Sequence, residues 1–159
     1  MGRTLIRAGL VMGWIPTLAL MMGANWMTKT LAFAQGPTPV KVTRLYTGPD
    51  GQTHAEEIEA KFIAGSTNDV YKMMTTTAAE LHRAAPGRVS DWHTAPRRQY
   101  VITLSGHGEL EVAGGKKIPV GPGHIELVED TTGKGHITRV TGTEERVTIQ
   151  LPLTDQSGR

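Results

Sequence analysis

From residue 40 to residue 153 the chain is a succession of short β-branched runs separated by glycine and proline turns. Runs near 40–46, 52–62, 79–83, 100–104, 109–112, 125–128, 136–140 and 146–151 alternate or are rich in Val, Ile and Thr. Turn sequences such as Gly48-Pro49-Asp50-Gly51, Pro86-Gly87, Gly114-Gly115 and Gly121-Pro122-Gly123 lie between them. Short strands at even spacing with turn signals restrict the fold to an all-β sandwich or barrel. Residues 63–81 are the exception. Val70, Met73, Met74, Thr77 and Leu81 sit at helical spacing, but three consecutive threonines oppose a helix, so a loop with a short helical turn is expected.

The first 34 residues have a different character. They contain no Asp or Glu, begin with Arg3 and Arg7, continue through an apolar run and end on Ala32-Phe33-Ala34. This pattern predicts a secretory signal over 1–34, cleaved or retained as an anchor, then a linker at 35–39, the domain at 40–153 and a tail at 154–159. The expected location is the periplasm or the extracellular space. Removing the leader takes Arg3, Arg7 and Lys29 from the 17 basic residues and leaves all 15 acidic ones, so the remainder is nearly neutral. A basic surface for nucleic acid is not expected, nor membrane contact beyond the export signal. The absence of cysteine excludes disulfides and thiolate chemistry.

Two segments carry the chemistry, DWHTAPRRQYVITLSG from Asp91 and VGPGHIELVEDTTGKGH from Val120. Period-2 alternation places Gln99, Val101 and Thr103 on one face of a strand, and His136, Thr138 and Val140 on one face of another. Imidazole nitrogens are good ligands for zinc, iron, copper or nickel, whereas glutamine is a weaker neutral donor. Spacing alone is weak evidence, since His93 and His136 lie 43 positions apart.

These segments resemble the two halves of a cupin site. The first half of that pattern reads G-x5-H-x-H-x3,4-E-x6-G. His93 falls on its first His and Gly106 on its closing Gly, while Ala95 replaces the second His and Gln99 the Glu. His136 is the candidate for the second-half His. The resemblance implies a small single-domain jelly-roll β-barrel. It also implies a small-molecule site inside the barrel, a divalent transition metal on His93, His136 and Gln99, and pairing into a homodimer. His54 and Glu56 share a face of their strand and are candidate replacement donors. Trp92 and Thr138 join the candidate ligand pocket. Two functions remain open: a metal-dependent dioxygenase, isomerase or lyase with a reduced ligand set, or a non-catalytic small-molecule-binding module. Arg97 and Arg98 read as a solvated pair and His124 as exposed. The loop at 131–135 lacks the order of a phosphate-binding loop.

Overall fold

The computed structural model describes residues 38–157. The leader and most of the linker lie outside the described residues. Ten strands follow in order: β1 (Lys41–Thr47), β2 (Thr53–Glu59), β3 (Glu80–Ala84), β4 (Val89–His93), β5 (Gln99–Ser105), β6 (His107–Glu111), β7 (Lys117–Val120), β8 (Ile125–Val128), β9 (His136–Thr141) and β10 (Arg146–Pro152). A 3-10 turn at Ala113–Gly115 joins β6 to β7. Two of these strands, β4 and β7, are not visible as separate runs in the sequence.

The strands form a six-stranded sheet, β2-β1-β8-β5-β10-β3, and a four-stranded sheet, β4-β9-β6-β7. All pairings are antiparallel except β1 with β8. With β1 and β2 set aside, two four-stranded sheets remain, β3-β10-β5-β8 and β4-β9-β6-β7, and the chain passes between them in jelly-roll order. β1 and β2 extend the first sheet beyond β8. No ladder joins the two sheets among the described residues, so the expected barrel is two separately hydrogen-bonded sheets and not one closed cylinder.

Alternation divides the buried residues into two layers. Leu45, Val101, Leu110, Val112, Val120 and Val128 come from both sheets and fill the space between them. Tyr100, Leu127 and Val42 occupy the opposite face of the larger sheet. Met73 and Met74, from the segment between β2 and β3, pack against that outer face and are partly buried there. The segment contains no helix. It is held by isolated bridges from Ile63 to Val70 and from Thr76 to Leu153. Consecutive threonines favour extended backbone, and burial of the two methionines is achieved without helical periodicity.

Candidate functional site

A cavity of about 280 Å³ lies between the sheets, lined from β3, β4, β5, β8, β9 and β10. β4 and β9 pair so that His93 stands directly opposite His136. Their ring centroids are 4.5 Å apart at 52°, and both rings line the cavity. The close approach of the two strands depends on Gly135, which has φ +79. A Cβ there would lie on the backbone carbonyl of His93 and the amide of Thr94. Gly135→Ala is therefore expected to destabilise the domain by roughly 2 kcal/mol or more, from the left-handed backbone and the forced separation of the strands. Thermal denaturation checks this, and an unchanged midpoint would show that the strands tolerate separation.

The hydrogen bonds of the imidazoles fix their tautomers. His93 Nδ1 lies 2.7 Å from the carbonyl of Asp91. A carbonyl only accepts, so Nδ1 donates. His136 Nδ1 lies 2.6 Å from Asp130 Oδ2, which also accepts from the Thr53 hydroxyl at 2.9 Å. Asp130 is fully buried, and its Oδ1 has no partner. In the neutral rings both Nε2 atoms then carry lone pairs. A carboxylate behind one imidazole and a carbonyl behind the other is the arrangement that orients metal-binding histidines and raises their basicity.

Other candidates are placed differently. Gln99 and Thr138 line the cavity, as does Ala95. However, Gln99 Oε1 accepts from Arg97 Nε at 3.1 Å, so this oxygen is already engaged. Trp92 is adjacent to His93 in a strand and does not line the cavity; its ring lies beneath the Lys134 ammonium at 3.7 Å. His54 and Glu56 do not supply donors either. β2 is separated from β8 by β1, and these side chains bind Asp50 at 3.0 Å and Arg44 at 2.9 Å. No group of three or more His, Asp or Glu side chains among the described residues is arranged to hold a metal ion.

Two further expectations are corrected. Arg98 is buried, not solvated. Its guanidinium pairs with Glu129 and donates to the carbonyls of Asp155 and Ser157 at 2.8 and 2.6 Å. His124 is half-buried, and its Nε2 has no partner. Burial, with Arg146 nearby, pushes its pKa down.

Sequence reasoning missed the cavity's buried ion pair. Glu126 of β8 accepts from Arg146 Nη2 of β10 at 2.7 Å, and both side chains line the cavity. Arg146 also donates to the Thr103 hydroxyl, at 2.8 Å from Nη2. Burial pushes the Glu126 carboxyl above the ordinary carboxylate range, with Arg146 opposing. Alternation with Val128 could have placed Glu126 inward, but its partner is 20 positions away.

The strand order and the cavity between two facing sheets define a cupin-like jelly roll. Solved structures similar to this chain include the cupin domain of Schizosaccharomyces pombe Cnp3, with 16% identity and a TM-score of 0.40 over 78% of this chain and 88% of that one. An ethanolamine utilization protein Q of Salmonella typhimurium LT2 has 14% identity and a TM-score of 0.38 over 75% of this chain and 100% of that one. A protein of Neisseria meningitidis has 13% identity and a TM-score of 0.36 over 80% of this chain and 95% of that one. Likenesses at these TM-scores carry no weight for activity. No family model and no curated protein matches the chain.

Proposed function

We propose that this is an exported domain that holds a small organic molecule in the cavity between its sheets, with His93 and His136 as the working pair. The observation that supports this reading is the pair itself. Both Nδ1 atoms donate to fixed acceptors, both rings line one cavity, and their centroids are 4.5 Å apart.

The donor chemistry fits half of a transition-metal site. Two oriented neutral imidazoles suit iron, nickel, zinc or copper, whereas manganese would need added oxygen donors from the ligand or water. A third His, Asp or Glu donor is absent among the described residues, so the remaining positions fall to the weak Gln99 oxygen, to water or to the ligand. A divalent ion held there supplies a Lewis acid to polarise a ligand oxygen. The chain itself orients the rings through Asp130 and the Asp91 carbonyl, limits ligand size through the cavity walls, and places the Glu126–Arg146 pair beside the bound molecule. A metal-dependent dioxygenase, isomerase or lyase reaction would draw on that ion. The non-catalytic reading draws its support from the engagement of Gln99 by Arg97, which competes with any role of that oxygen as a third protein ligand.

Calorimetric titration of the protein with Ni²⁺ tests the metal arm. One ion per chain is expected to bind the parent. His93→Ala or His136→Ala should each abolish binding, while His54→Ala should leave it unchanged. Undiminished binding in either of the first two variants would reject a shared site. No binding by the parent would reduce the pair to hydrogen-bonding groups in an organic-ligand cavity.

A further inference from the structure

We infer that the molecule held in the cavity is a small carboxylate, recognised by arginine at the wall opposite the two imidazoles. This deepens the proposed function and rests on the cavity being a ligand site. Two guanidinium-bearing side chains line the cavity, Arg88 and Arg146, against a single carboxylate, Glu126. Arg83 borders the cavity through its backbone: it pairs with Val147, so its side chain turns to the other face of the sheet, where it is exposed and lies 3.7 Å from Glu145. Arg88 forms no ion pair among the described residues, and its backbone is fixed by the bond from Val140 N to Arg88 O at 2.9 Å.

Arg146 is the anchor. Its side chain is 7% exposed, and Nε and Nη2 are held by Thr103 and Glu126. Nη1 makes no hydrogen bond among the described residues. A buried guanidinium with one edge clamped by protein and another left toward a cavity is preorganised for a planar oxyanion. Glu126 holds Arg146 in place and balances its charge, so Arg88 leaves the cavity net positive. A cationic ligand would meet that repulsion. A purely apolar one would leave the buried polar groups unpaired, which costs more than its own burial returns.

The size is also bounded. Glu126 pairs with Val101, and Val128, one same-face step along β8, pairs with Gln99. Such a step spans roughly 7 Å. Together with a cavity of about 280 Å³, this suits a short carbon skeleton with its carboxylate on the arginines and its other oxygen atoms toward the His93 and His136 Nε2 atoms.

The test uses amide NMR of the protein in EDTA at constant ionic strength, with malonate, malonamide and inorganic phosphate as probes. Malonate is expected to shift the Val101 and Thr138 amides saturably. Arg88→Gln, an exposed substitution that preserves folding, should weaken it about tenfold, the factor that one charge-assisted contact is worth. Malonamide should bind far more weakly. Equal binding of malonamide and malonate would overturn the carboxylate assignment while leaving a cavity site in place. Preference for phosphate would also overturn it. If no probe moves the cavity amides, the carboxylate assignment is overturned, while the Ni²⁺ titration separately decides whether His93 and His136 form a site.

Discussion

A chain carrying Ala95→His together with Gln99→Glu is expected to bind Ni²⁺ or Zn²⁺ about two to three orders of magnitude more tightly than the parent, or roughly 3–4 kcal/mol at 1.4 kcal/mol per factor of ten. The parent offers two oriented imidazoles and no third His, Asp or Glu donor among the described residues. Both substituted positions line the same cavity as His93 and His136. A third imidazole adds a donor, and a carboxylate adds the negative charge that the site lacks. Two costs oppose the gain. Ala95 is buried against Leu45, Val101 and Val128, so a larger side chain must turn into the cavity or cost about 1–3 kcal/mol of overpacking. Arg97 beside Gln99 competes with the metal for the new carboxylate. Calorimetric titration of parent and double variant decides the matter. An unchanged dissociation constant would show that positions 95 and 99 do not reach the space between the two Nε2 atoms.

Loss of Arg98 is expected to be the most damaging single change to stability. Its side chain is 2% exposed. It binds Glu129 through Nε at 2.9 Å and through Nη2, and holds the C-terminal segment through two carbonyls. Gln156 completes the clamp, accepting from Arg98 N at 2.8 Å and donating to Arg98 O at 3.1 Å. Arg98→Ala leaves Glu129 buried with Arg44 alone, at 2.6 Å. Breaking a buried pair by removing one partner costs about 3–5 kcal/mol, which urea denaturation should register at neutral pH. The pH dependence has a definite sign. Burial raises the Glu129 pKa, but Arg98 and Arg44 outweigh it and hold it below the ordinary carboxylate range. A depressed carboxylate contributes stability above its unfolded pKa and loses it as pH falls through the folded value. The gap between parent and variant should therefore narrow in acid below pH 4.5. A gap independent of pH would assign the loss to the C-terminal clamp and not to Glu129.

The strands were legible where turns delimited them. The run at 125–128 coincides with β8, and the inward face of β5 follows from alternation, which puts Gln99, Val101 and Thr103 together. β4 was hidden because its pairing with β9 is irregular between Ser90 and His93, so its polar sequence shows no clean period. The same irregularity misplaced Trp92, since Ser90 and His93, three positions apart, both line the cavity while Trp92 does not. The polar interior was not legible. Arg98 meets Glu129 across 31 positions, and Glu126 meets Arg146 across 20. Adjacent arginines look solvated until the opposing acid is placed by the sheet. His54 and Glu56 have the spacing of a ligand pair, but spacing cannot say that β1 stands between their strand and the cavity.

The contact at Gly135 has a consequence for how such a domain can diversify. The separation of His93 and His136 is set by two backbones in contact, not by the side chains that fill the cavity. Ala95, Thr148 and Gln150 line the same space from other segments of the chain. Substitutions at those three positions would reshape what the cavity admits without disturbing the spacing of the imidazoles. Under the proposed function, what the cavity admits and how its imidazole pair is held would reside on separable parts of the scaffold, so a lineage could exchange one ligand for another in single steps while the pair stays in register.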